Sequence, residues 1–352
     1  VGLSYGQKTK MDSLDIKIGQ MIMVGFSDQK VDPNDPILNE IASGMIGGVI
    51  LFEKNIPPSN SYIGLKQLTF ALKTAAPIPL IMAIDQEGGR VNRLKTKYSF
   101  PKSVTAEYLG ELDNVDSTRF YAEITAATLS GLGFNVNFAP VLDLASNPDN
   151  PIIATKGRAY SADPQKVAKH AAIVVEAHNH VNVLTVGKHF PGHGSSEADT
   201  HKGVADVTNT WDANELDPYK TLIGENLLPG IMSAHIVNKN LDPSGLPGTL
   251  SKPILTNLLR DEMQFKGVVF SDDMQMHAIT KYYGFETAIE YGINAGLDVL
   301  IFSNNIQDSK DRTVSNVHTI IRNLVASGKV PQSRIDESYT RIMAMKQKYL
   351  YE

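Results

Sequence analysis

The chain has 352 residues, 42% of them hydrophobic, and a mean hydropathy of −0.15, which supplies ample apolar side chains for a buried core. Its net charge is −5 and no stripe of Lys and Arg occurs, which argues against a nucleic-acid partner because phosphate binding needs clustered cations. No run approaches the roughly 18 apolar residues of a bilayer span, and the absence of cysteine excludes disulfides, thiolate catalysis and Cys-ligated zinc.

The polar lead "VGLSYGQKTKMDSLD", residues 1–15, reads as an N-terminal extension, and a trimmed export signal before it leaves localisation open between cytoplasm and export. Short apolar runs then recur along the chain. The first two are Gln20–Phe26 and Gly47–Phe52, followed by "SNSYIGLKQLTFALKTAA", whose apolar spacing of three and four predicts a helix behind the candidate N-caps Ser59 and Asn60. The third and fourth runs are Ile78–Asp85 and Val136–Asp143. "SADPQKVAKHAAIVVEAHNH" predicts a helix opened by a Ser161/Asp163 cap, with Pro164 in its first turn. Four further runs follow at Val183–His189, Gly230–His235, Gly267–Asp272 and Asp298–Ser303, and "VPQSRIDESYTRIMAMKQKYL" closes the chain as an amphipathic helix. Runs this short and this apolar suit strands buried on both faces, as in a parallel sheet.

Eight such strands with helical crossovers predict an α/β fold, a single (β/α)8 TIM-type barrel over residues 1–352. A doubly wound open sheet would want a phosphate-binding glycine fingerprint after the first strand, and "VGFSDQKVD" is not one. A barrel places its active site at the C-terminal ends of several strands. Those ends carry Asp85, Asp143, Lys188–His189, His235 and Asp272, so five strands deliver chemistry-bearing groups to one face.

After the fifth run comes "KHFPGHGSSEADTHKG", residues 188–203. A metal site is one reading, since His189 and His193 stand four apart, but Pro191, Gly192 and Gly194 make the helix that spacing needs improbable. A loop could instead fold His193, Asp199 and His201 round an ion. A phosphate cradle lacks its helix-opening glycines, and a plain solvated loop would also collect Gly, Ser, Asp and His. The fourth reading is acid–base work. Asp199, two residues before His201, can accept a ring N–H, fix the tautomer and raise the imidazole's basicity. A partner nucleophile is available in "GVVFSDDMQM". Adjacent carboxylates on a strand point opposite ways, so only one of Asp272 and Asp273 faces the barrel centre, and Asp273 fits a helix cap better.

Together "KHFPGHG…DTH", "AIDQEGGRVNRL", "NFAPVLDL" and "GVVFSDDM" resemble glycoside hydrolase family 3, in its bacterial β-N-acetylglucosaminidase branch, and the likeness runs from "KIGQMIMVGF" to the final helix. The resemblance implies His201 as general acid/base with Asp199 as its partner, and Asp272 as nucleophile. It implies sugar-binding positions at Asp85, Arg93, Arg158, Lys188 and His189, and it requires no metal and no organic cofactor. His193, between glycines, is expected only to order the loop. The expected function is that of a retaining exo-β-N-acetylglucosaminidase, a monomer acting on GlcNAc-terminated cell-wall muropeptides or similar small carbohydrates. Lys156 and Ala159 in "TKGRAYSADP" depart from the pattern and leave the aglycone open. The rivals are a family 3 phosphorylase or β-glucosidase using the same residues, and a sugar-binding barrel without catalysis.

Overall fold

The computed structural model describes residues 13–198, 205–276, 279, 282–304 and 314–350. All eight apolar runs form strands: β1 (Ile22–Gly25), β2 (Gly48–Leu51), β3 (Ile81–Ile84), β4 (Val136–Asn137), β5 (Leu184–Phe190), β7 (Gly230–Ser233), β9 (Val268–Asp273) and β10 (Val299–Phe302). They close into a parallel barrel in the order β1-β10-β9-β7-β5-β4-β3-β2. Two short strands outside the barrel, β6 (Ala205–Asp206) and β8 (Ile236–Val237), pair with each other, and neither stands out as an apolar run.

Six of the eight strands are shorter than the runs that announced them, most of all β4, while β5 and β9 keep the length of theirs and start one residue later. Pro140 has no N–H to give to a ladder, and the asparagines of this stretch do the pairing with side chains. Asn135 accepts from Met82 N (2.7 Å) and donates to Leu80 O (2.9 Å). Asn137 accepts from Gln86 N (3.0 Å) and donates to Gln86 O (3.1 Å). These amides tie the polypeptide on both sides of β3 to β4, so the segment past β3 is fixed although it is not strand.

Helices pack round the barrel. Leu14–Gln20 is capped by Ser13, whose side chain accepts from Ile16 N. Ser61–Ala75 starts behind Asn60, which takes φ 49° and makes no side-chain cap, so Ser59 and Asn60 serve as turn residues there. Pro164–Asn179 opens as expected, with Asp163 accepting from Gln165 N (2.9 Å). The last helix, Gln332–Tyr349, packs on Leu14–Gln20 and seals the N-terminal end of the barrel. No described helix is long and apolar enough to cross a membrane.

That seal contains a fully buried lysine. Lys346 Nζ donates to Gln20 Oε1 (2.7 Å) and Gly47 O (3.0 Å), both uncharged, and burial pushes its pKa down to about 7. The unfolded chain keeps that proton up to about pH 10.4. Between the two values the unfolded state holds more protons, so the Lys346 contribution to stability must rise with pH. The melting temperature of the wild type minus that of Lys346→Met is expected to be flat below pH 7 and to climb from pH 7 towards 10. A difference that stays level over that range would show that folding leaves the Lys346 pKa at its ordinary value.

Candidate active site

A cavity of about 410 Å³ opens at the C-terminal ends of the barrel strands. Its lining includes Asp85, Arg93, Arg158, Lys188, His189 and Asp272, so six of the expected site residues meet in one place. Asp199 and His201 lie outside the described residues.

Charges alternate along the wall of this cavity. Arg93 Nη2 is 3.4 Å from Asp85, and Asp85 accepts from Lys188 Nζ at 2.8 Å. Lys188 also reaches Glu87 (2.6 Å), and Glu87 is bound at both oxygens by Arg158, through Nε at 2.8 Å and Nη2 at 2.7 Å. Arg158 Nη2 lies 3.3 Å from His189 Nε2, and His189 Nδ1 lies 2.6 Å from Asp143 Oδ2. Burial opposes ionisation of Asp85 and of Glu87. The cations beside them outweigh it, Lys188 and Arg93 for Asp85 and Arg158 and Lys188 for Glu87, and both carboxyls sit below their ordinary values. Burial likewise acts against the Lys188 charge, yet Asp85 and Glu87 raise its pKa. Asp85, Glu87 and Lys188 therefore stay charged at neutral pH, and the wall offers fixed donors and acceptors to hydroxyl groups.

The long reach of this ladder depends on β5. Its pairing with β7 shifts register between Lys188 and Phe190, and both Lys188 and His189 border the cavity, although a regular strand would send them to opposite faces. The chain then turns sharply. Gly192 takes φ +117°, a left-handed backbone that L side chains rarely adopt, and a Cβ on Gly194 would stand 2.0 Å from Leu144 O.

Two buried carboxylates hold this turn by its backbone. Asp143 Oδ1 accepts from His189 N (3.1 Å) and His193 N (2.8 Å). Glu215 accepts from Gly194 N (2.9 Å) and Ser195 N (3.2 Å), and Asn150 Nδ2 donates to the carbonyls of His193 (2.8 Å) and Gly194 (3.0 Å). His193 is buried, its ring edge-on to His189 at 6.1 Å, and burial pulls its pKa down to about 4. Burial raises Glu215 to about 7. Among the described residues no three His, Asp or Glu side chains are grouped to hold a metal ion.

On the opposite side of the mouth, β9 ends with Asp272 and Asp273, and both border the cavity. Hydrogen bonds separate their roles. Asp273 accepts from Ser303 Oγ, from Ser303 N (3.2 Å) and from Gln275 N (3.1 Å), so it secures the turn after β9 and the end of β10. Burial raises its pKa. Asp272 Oδ1 accepts from Asp273 N (2.7 Å). His235, grouped in sequence with the other strand ends, does not line the cavity. It is buried between Thr249 Oγ1 (2.7 Å) and Asp273 O (3.0 Å), where it braces the segment after β9.

A family model described as the glycosyl hydrolase family 3 N terminal domain matches residues 13–345. The chain belongs to glycosyl hydrolase family 3. It is 34% identical over 287 residues to a protein named beta-hexosaminidase from Nitrosomonas eutropha, covering 79% of each chain. It is also 34% identical over 337 residues to beta-hexosaminidase A of Pseudoalteromonas piscicida, covering 89% of this chain and 55% of that one. A solved family 3 beta-N-acetylglucosaminidase from Paenibacillus sp. str. FPU-7 superposes with a TM-score of 0.87 at 30% identity, covering 96% of this chain and 63% of that chain. The chain thus spans a little over half to under two thirds of the length of these last two relatives.

Within this family 3 barrel, Glu87, Asp143 and Glu215 are site residues that the sequence reading left without a role. Glu87 carried one usable signal, since it stands two residues after Asp85 in "DQEGGR". Asp143 was visible as a strand end, but its partner 46 positions away was not. Nothing local marks Glu215, which sits in a short helical turn, Ala213–Leu216, far from the stretch it holds.

Proposed function

We propose that this family 3 chain is a retaining exo-β-N-acetylglucosaminidase that removes terminal GlcNAc from cell-wall muropeptides or similar fragments. The observation that carries the reading is the meeting of Asp272 with the Arg93–Asp85–Lys188–Glu87–Arg158–His189 ladder round one cavity. Its volume falls in the range of about 300–1,000 Å³ typical of small-molecule sites. The charged wall binds the hydroxyls of a single terminal sugar and fixes its anomeric carbon in front of Asp272. The relatives named beta-hexosaminidase and beta-N-acetylglucosaminidase support GlcNAc as that sugar.

In this reading Asp272 attacks the anomeric carbon while His201, supported by Asp199, protonates the departing oxygen. Water then opens the glycosyl-enzyme, with His201 taking its proton. Retaining glycosidases usually set two carboxyl groups about 5–5.5 Å apart. An imidazole in the acid/base place keeps the two-step logic and changes only the proton carrier. Lys156, exposed at the cavity rim, supports an acidic aglycone such as a carboxylate-bearing muropeptide.

The test is turnover of aryl β-GlcNAc and aryl β-glucosides, with and without phosphate, reading the anomer released. Release of β-GlcNAc, little action on the glucoside and no effect of phosphate are expected. A preference for glucosides, a sugar phosphate product, or no turnover at all would each defeat the proposal.

A further inference from the structure

Asp143 does not line the cavity, yet it is fully buried and spends both oxygens on one neighbour and its loop. Oδ1 accepts two backbone N–H groups, from His189 and His193, and Oδ2 lies 2.6 Å from His189 Nδ1. A carboxylate only accepts, so Nδ1 carries a hydrogen. On the other side of the ring, Nε2 faces Arg158 Nη2 at 3.3 Å, and a guanidinium only donates. A second ring hydrogen there would set two donors against each other. Both neighbours therefore select the same form.

We propose that Asp143 is a positioning residue that holds His189 as the neutral Nδ1–H tautomer, so that the Nε2 lone pair accepts from Arg158 and fixes that guanidinium in the wall of the sugar cavity. The proposal rests on the reading of the cavity as a sugar site. It accounts for a buried carboxylate that the catalytic steps do not use. It also explains why the same residue grips the His193 backbone: the ring can point correctly only if the turn that carries it is fixed.

Asp143→Asn separates this role from plain structural support. The amide oxygen must still accept from His189 N and His193 N, which leaves the NH2 group facing His189 Nδ1. Nδ1 must then accept, and the proton moves to Nε2, where it opposes Arg158. The same substitution of acceptor-only by donor fixes the wrong tautomer in the Ser-His-Asp triad.

The experiment is 15N-detected imidazole NMR at pH 7 on wild type and Asp143→Asn without substrate, with His189→Gln used to assign the signals. A protonated Nδ1 and bare Nε2 are expected in the wild type, and the reverse in Asp143→Asn. For aryl β-GlcNAc, kcat/KM should fall on the order of 10- to 100-fold, mostly through KM, because an Nε2–H repels the Arg158 guanidinium from its place in the cavity wall. An Nε2–H or doubly protonated His189 in the wild type would overturn the proposal, and that readout stands even if the variant does not fold. A folded variant with an unchanged tautomer, or a switched tautomer with unchanged KM, would overturn it as well. If the wild type has the expected tautomer but turns over no GlcNAc glycoside, the functional reading fails and the tautomer assignment survives.

Discussion

Asp272→Ala is expected to lower kcat for aryl β-GlcNAc by on the order of 10⁴- to 10⁶-fold, the scale on which enzymes lose activity when a covalent nucleophile is deleted. The melting temperature should move little, because Asp272 is a half-buried side chain that borders the cavity at the barrel mouth. Azide should restore part of the turnover, since a small anion can occupy the vacated carboxylate space and attack the same carbon, and it should give the opposite anomer. Asp273→Ala should do the reverse. It leaves Ser303 and Gln275 donors without their acceptor, at about 1–3 kcal/mol for each one left buried and unpaired. Stability drops while activity per folded molecule stays far closer to wild type. An essential Asp273 beside a dispensable Asp272 would mean that the nucleophile is assigned to the wrong member of the pair.

The second large effect concerns His201. General acid catalysis contributes typically 10²- to 10⁴-fold, and its loss matters most when the leaving group is a poor one. For His201→Ala, kcat/KM should therefore collapse for alkyl-like leaving groups and suffer much less for nitrophenolate, so that rate depends more steeply on leaving-group pKa than in the wild type. Asp199→Asn should show the same trend more weakly, because it keeps an acceptor and removes the charge that supports the imidazolium. Hydrolysis of the glycosyl-enzyme should slow in both. An unchanged slope with equal loss across substrates would place the acid elsewhere and leave His201 a loop residue.

The order of the strands and the face that carries the site were legible because each depends on short stretches of chain. Eight apolar runs with helical crossovers can bury their strands on both faces in few ways, and the barrel closes with those eight. Strand limits were less legible. In β4, Pro140 and the side-chain amides of Asn135 and Asn137 replace ladder bonds, and a count of apolar residues does not register such substitutions. The pair β6–β8 was invisible for a similar reason: two residues on each side give no periodicity to read.

The sequence by itself determined the residue types that reach the barrel mouth, because a strand end is a local property and Asp85, Lys188, His189 and Asp272 each sit at one. Only the tertiary structure decided how they are paired. Glu87 binds Arg158 across 71 positions and Lys188 binds Asp85 across 103. Glu215 holds a turn 20 residues before it, and Asp143 orients a ring 46 residues after it. Such contacts are set by which strands neighbour one another when the barrel closes and by the register shift in β5, so they depend on distances in space that no spacing along the chain encodes.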